Sequence, residues 1–395
     1  MKKTLVAIAA LASVSVFAQT TVSLTGLMDG AFASYNLKGN RVQDVTGSGA
    51  SGTTAVIFAG SEDLGAGAKM VFQYEIDPNI AQTSSRTAGT SATGTTSNVT
   101  TSLGNGQSFV GLSGSAGTIR FGAPNTSTLS AQGEANSGFA TAIGSGYRVS
   151  SFDAVRFQSS LKYDTPTASG FSASYLLVPK NSLQSNSGTV GLTGNLQNQT
   201  NGRDQVTEVA GMYANGPLTA RIATLQTTQW AKVNQSAAGD AFVSYTWSAA
   251  GTGGKFTLNT VSASYKATPQ LTVGALYQTV ASDLLNNASA TSTTIKYDRK
   301  TTGLSAAYDV TPVVKLMANY AVAKNGSTAS NSGTASKSTT VMGLGVDYAL
   351  SKRSTAFIRY ENNGDEAGLR SITGYTAVNS STTYTATAVG LRHTF

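Results

Sequence analysis

Cysteine is absent from this chain of 395 residues, and histidine occurs once, as His393. Without thiols there is no disulfide framework, no thiolate metal site and no cysteine nucleophile, and one histidine cannot form a transition-metal cluster. Charge is sparse as well: the 27 Lys and Arg and the 19 Asp and Glu are scattered, which argues against a nucleic-acid footprint. Beyond Ala18 no apolar run approaches the roughly 18 residues that a membrane-crossing helix needs. What the chain does contain is 40% hydrophobic residues diluted by Ser, Thr, Asn and 42 Gly, with a mean hydropathy of −0.07. Such dilution does not build a large conventional core, whereas a barrel with a polar lining suits it.

The first residues have a different character. Lys2 and Lys3 precede the mostly apolar stretch Leu5 to Phe17, which ends in the small-residue pattern Val16-Phe17-Ala18. This predicts a signal peptide over residues 1–18, cleaved after Ala18, and its apolar run is shorter than the roughly 20 residues of a spanning anchor. The exported part, residues 19–395, must then be stable in an oxidising compartment without disulfides, through an extensive backbone hydrogen-bond network.

Hydrophobicity alternates with a period of two. In "KMVFQYEI" Met70, Phe72, Tyr74 and Ile76 share one face, with Lys69, Val71, Gln73 and Glu75 on the other. The same alternation recurs in "GTIRFG", "SSLKYD", "VVKLMANY" and "GLGVDYAL", so these are strands with one greasy and one wet face. Short links with turn chemistry fall at 61–67, 113–117, 165–170, 214–217, 268–270, 309–312 and 350–353. Long Ser/Thr/Asn/Gly-rich stretches such as 79–105, 124–155, 180–202 and 325–336 separate them and read as loops. The apolar stretch 241–247 reads as a structured part of one long loop.

Seven short turns and eight long loops join about sixteen antiparallel strands, with the alternation breaking near Thr260 and Tyr297. Short links at one end and long loops at the other describe a transmembrane β-barrel, which must close because lipid cannot satisfy an open sheet edge. A soluble sandwich rarely reaches this length, and no repeat of fixed period marks a β-helix.

The segments "FAGSEDLGAGAKMVFQYEID", "FVGLSGSAGTIRFG", "SLKYDTPTASGFSASY", "ANGPLTA", "LGVDYALSKRSTAFIRYE" and "VGLRHTF" resemble the trimeric general porins of Gram-negative outer membranes, particularly the β-proteobacterial group. The resemblance covers nearly every strand and turn. It implies a sixteen-stranded outer-membrane barrel assembled as a homotrimer in contact with lipid and lipopolysaccharide, each barrel holding a water-filled channel for ions and small hydrophilic solutes. It implies that the third loop, residues 124–155, enters and narrows the pore, and that the loop at 79–105 reaches over a neighbouring subunit. It further implies that the terminal Phe395 is read by the barrel-insertion machinery.

In a pore, the working residues are inward charges near the constriction. Parity places Lys69, Arg120, Arg156, Lys162, Arg221, Lys315, Arg359 and Arg392 inward, with Asp29, Glu75, Asp164, Glu208, Asp347 and Glu361. This small basic excess predicts weak to moderate anion preference. Lys69, Arg120, Arg156 and Lys162 flank the third loop and would form a basic wall, opposite Glu134 and Asp153 on the loop itself, giving a transverse field. Two arginines common in the resembling family are replaced here, by Ala55 and Ala123.

A channel specific for a sugar, phosphate or organic anion is the nearest alternative, yet most Tyr and Phe fall on the greasy face rather than forming a luminal ladder. An outer-membrane enzyme would need a base such as His393, which parity turns outward, so no catalytic residue, metal or cofactor is assigned. An adhesive barrel would have about eight strands. The last segment, "ATAVGLRHTF", reads as the closing strand: Val389, Leu391, His393 and Phe395 face lipid, Arg392 faces the lumen, and it must pair with the first strand, near Thr21.

Overall fold

The computed structural model describes residues 20–37, 40–81, 106–140, 142–146, 156–179, 205–230, 233–235, 245–247, 254–286, 293–327, 338–365 and 383–395. The expected signal segment 1–18, most of the loop at 79–105, and Asp153 lie outside them. In chain order the strands are β1 (Thr21–Leu37), β2 (Asn40–Thr46), β3 (Ala55–Gly65), β4 (Ala68–Ile76), β5 (Ser108–Gly114) and β6 (Gly117–Ala123). After helix α1 (Ser127–Glu134) come β7 (Ser160–Asp164), β8 (Phe171–Val178), β9 (Val206–Asn215), β10 (Leu218–Trp230), β11 (Val233–Gln235) and β12 (Tyr245–Trp247). The chain continues through β13 (Gly254–Lys266), β14 (Leu271–Asn286), β15 (Thr293–Asp309), β16 (Val314–Ser327), β17 (Ser338–Ala349), β18 (Ser354–Asp365) and β19 (Tyr384–Thr394).

Sixteen of these strands form a closed antiparallel barrel, each pairing with its sequence neighbours. Of the other three, β2 pairs with β1, while β11 and β12 form a separate two-stranded sheet that includes the end of the 241–247 stretch. Closure is made by β19 against β1, in a register from Leu27↔Thr394 to Leu37↔Tyr384. Phe395 adds one more step, exchanging two 3.1 Å backbone hydrogen bonds with Gly26. The closing strand thus pairs with the first strand, as expected, along its stretch from Gly26 onward, while the beginning of β1 from Thr21 pairs with β3. A tilted, sheared barrel requires such an offset where its ends meet.

The alternation decides which face is which. Phe58, Tyr74, Phe121, Ile222, Leu304, Tyr320, Tyr348, Val389 and Leu391 are exposed on the outer surface, forming an apolar belt of a size that water does not tolerate but lipid requires. At Thr260 the alternation is intact, with Thr260 buried inward and Val261 exposed outward. Inward apolar Leu258 obscures it in the sequence. Turns are tighter than composition implies. The polar residues Ser61, Glu62 and Asp63 still pair in the ladder, so β3 and β4 are joined by Ala66 and Gly67 alone, both with positive φ (51° and 79°).

Candidate functional site

The inner face of the barrel carries a loop, and its fastenings define the site. Thr126 caps α1, its hydroxyl accepting from the Leu129 N–H at 3.1 Å. The helix has no acid of its own in its first turn; Glu208 on β9 takes that place. Its carboxylate accepts from the N–H groups of Ser127 (2.7 Å) and Thr128 (2.8 Å), where the helix presents unpaired donors and a positive field. At the other end Arg221 on β10 donates to Glu134, the last helical residue, at 2.6 Å.

Beyond α1 the loop follows the wall. The Ser305 hydroxyl of β15 donates to the Ala135 carbonyl and accepts from the Ser137 N–H. Asn319 on β16 donates to Asn136 at 3.0 Å. Phe139 is fully buried against Met317 and Ala307. On β17, Gly343 lets the loop backbone at Gly144 lie flat on the strand, since a Cβ there would overlap the Gly144 carbonyl. The Glu361 carboxylate of β18 then accepts from the Gly144 N–H at 2.7 Å and from the Tyr384 hydroxyl at 2.5 Å. Residues 126–140 and 142–146 thus lie along the inner wall from β9 to β18, fastened by the inward polar side chains of Glu208, Arg221, Ser305, Asn319 and Glu361.

Besides these fastenings and the Lys315–Asp309 pair, three groups of inward charges stand out. Arg120 pairs with Asp164, which also lies 3.7 Å from Lys162; Lys162 donates to the Asn125 carbonyl at 2.9 Å, fixing the start of the loop. Arg156 lies 3.6 Å from Asp77. Burial, reinforced by neighbouring Glu75 and opposed by Arg156, raises the Asp77 carboxyl to about 6. In the third group Arg359 and Arg392 both reach Asp347, at 2.7 and 3.2 Å, and the Arg359 guanidinium lies 5.8 Å from the Phe139 ring centre.

This geometry differs from the expected basic wall facing an acidic loop. Lys69 stands opposite Asp63 near the tight turn of β3 and β4, exposed and away from the loop. Glu134 is matched to Arg221, so its charge closes an ion pair instead of opposing Arg120, Arg156 and Lys162. Strand parity does not reveal that Glu208 and Glu361 hold the loop or that Asp164 and Asp347 hold arginines. Parity did not single out Asp77 and Arg299, nor Asp63 and Asp309 opposite Lys69 and Lys315. Asp77 follows the last residue of β4, and Arg299 is buried on the inner face of β15 where the apolar half of the pattern fades above Leu304.

A sequence profile described as Gram-negative porin matches residues 4–368. The chain belongs to the Gram-negative porin family. This porin is 32% identical over 207 residues to the major outer membrane protein P.IB of Neisseria lactamica, a match covering 50% of this chain and 56% of that one. It is 34% identical over 207 residues to the P.IB protein of Neisseria gonorrhoeae, covering 50% and 54%. The matches therefore span about half the length of these relatives. Among solved structures, its fold is similar to that of an anion-selective porin from Comamonas acidovorans, with a TM-score of 0.67 at 20% identity over 95% of this chain and 100% of the other. It is also similar to Salmonella typhi OmpF in complex with daunomycin, with a TM-score of 0.61 at 14% identity over 95% and 97%. The porin is a protein of the Gram-negative outer membrane.

Proposed function

We propose that this porin is a general diffusion channel of the outer membrane for ions and small hydrophilic solutes, working as a homotrimer with weak to moderate anion preference. The observation that carries this reading is the loop at residues 126–146, tied across the interior of a closed barrel by Glu208, Arg221, Ser305, Asn319 and Glu361. A loop held so closely to the inner wall narrows a passage without sealing the barrel like a plug, and fixed charges beside it filter what enters. Lys162, Arg120 and Arg156 surround the start of that loop and are the residues we assign to the filter. Glu134 serves as its anchor.

A channel built for one sugar would display a stack of accessible aromatic rings. Among the described inward aromatics, Phe357 and Tyr384 are buried against the loop, Phe139 of the loop is buried against the wall, and Phe109 and Tyr35 are half-buried, Phe109 under the Arg120 guanidinium, so the arrangement favours the general channel. Reconstitution in a planar bilayer under a salt gradient tests the proposal. Stepwise currents in groups of three with a reversal potential of anion-selective sign are expected. An absence of conductance steps would overturn the channel reading, and a cation-selective potential would overturn the charge assignment.

A further inference from the structure

The barrel wall is interrupted beside β1. On that side β1 pairs with β2 as far as Ala31↔Thr46 and with β3 from Leu27↔Ala55. The eight residues 47–54 thus stand where the three residues 28–30 would need partners. They fold inward: Ala50 is fully buried in a cluster with Ala31, Phe357, Tyr384 and Ala388 of the inner face and with Ile143 of the third loop.

The in-fold is a fixed structure. The Asp29 carboxylate, itself fully buried, accepts from the N–H groups of Ser51 (2.8 Å) and Gly52 (3.1 Å). The Asp29 N–H, deprived of a strand partner, donates to the Thr54 hydroxyl oxygen at 3.0 Å, and that hydroxyl donates to the Gly47 carbonyl at 2.6 Å. Gly49, at φ +85°, makes the tight reversal, its N–H donating to the Gly52 carbonyl at 2.8 Å. Across the lumen face, Arg359 and Arg392 both donate to the Ser51 hydroxyl oxygen, at 3.1 and 2.8 Å, while Asp347 holds both guanidinium groups. Arg359 is fully buried, so these contacts are what its charge is used for.

We propose that residues 47–54 are a second pore-narrowing element, latched to the wall by Arg359 and Arg392 through Ser51 and seated against the third loop through Ala50. The passage is then bounded by two inserts, and Arg359 and Arg392 act as positioning residues instead of free luminal charges. The inference rests on the channel reading above, but its test separates the two.

Because the chain has no cysteine, one introduced thiol is unique. Thr53 is the exposed side chain of the in-fold. Thr53→Cys is reconstituted in a planar bilayer and treated with a membrane-impermeant, cationic thiol reagent, with mass spectrometry counting the adducts. Wild-type steps before treatment and a drop of roughly a third or more in step conductance afterwards are expected, because bulk is added at a narrow point. Ser51→Ala, which removes the acceptor shared by the arginines, should give larger or noisier steps with the barrel intact. Unchanged conductance after complete modification, or a thiol that the reagent cannot reach, overturns the proposal. No steps before modification would instead overturn the channel reading, with the wild-type protein measured alongside.

Discussion

Replacing Glu208 with Gln tests whether the third loop is held by the wall or merely rests on it. Glu208 is almost fully buried and accepts two N–H groups from the first turn of α1, at 2.7 and 2.8 Å. Hydrogen bonds to a charged group are worth about 1.5–3 kcal/mol each. The helix-end field adds about 0.3–1 kcal/mol for a negative charge at that position. Glutamine keeps one acceptor oxygen and turns its NH2 toward a backbone donor, leaving an N–H unsatisfied at a cost of about 1–3 kcal/mol. A net weakening of about 2–4 kcal/mol follows, and at tenfold per 1.4 kcal/mol the ratio of seated to detached loop start falls by about 30- to 700-fold. Other anchors remain, so the barrel assembles and the change appears as current noise and reduced-conductance substates in single-channel records. Glu62→Gln, the same substitution at an exposed position on β3, should leave the records quiet. Wild-type noise and substate occupancy in Glu208→Gln would refute the anchoring argument.

Three further outcomes are expected. The Asp77 carboxyl, with an ordinary value of 3.8 and a folded value of about 6, favours its protonated form in the barrel. Its contribution to stability is therefore present below about pH 4 and lost as pH rises through about 6. As pH falls through that window the charge of Arg156 becomes less compensated, so reversal potentials should move toward anion selectivity, and Asp77→Asn should abolish this pH dependence. Persistence of the full shift in Asp77→Asn would exclude Asp77 as its source. At the seam, a Cβ on Gly26 would lie 2.5 Å from both the Ala55 carbonyl oxygen and the Phe395 ring, so Gly26→Val should strain the β1–β3 and β1–β19 pairings, lower barrel stability by about 1–3 kcal/mol and reduce the heat-resistant assembled form on gels. Deleting Phe395, or replacing it with Asp, should cut outer-membrane assembly while barrels that do assemble conduct normally; an undiminished yield of assembled protein would contradict this.

The period-two pattern is legible residue by residue because the barrel puts lipid on one face and polar surroundings on the other. Tyr74, Phe121, Leu316, Tyr348 and Leu391 all lie on the face that alternation gave them. The pattern loses force where an inward position is itself apolar, as at Leu258, or where the outward positions turn polar, as at Lys300 and Thr302 above the buried Arg299. Ser61, Glu62 and Asp63 carry loop chemistry in the sequence yet pair in the ladder, because strands near the barrel rim need only their backbone groups to pair.

By itself, then, the sequence determined the architecture: a strand count near sixteen, the inward or outward sense of most side chains, the long third loop and the closing role of the last strand. These follow from local alternation and turn chemistry, which short windows contain. Only the tertiary structure decided what the inward charges do. Glu208 meets Ser127 across 81 positions, Glu361 meets Gly144 across 217 and Arg392 meets Ser51 across 341. No local pattern encodes such partners; they are fixed by the shear with which the barrel closes, which turns charges that sequence reads as a luminal field into the fastenings of chain segments laid against the inner wall.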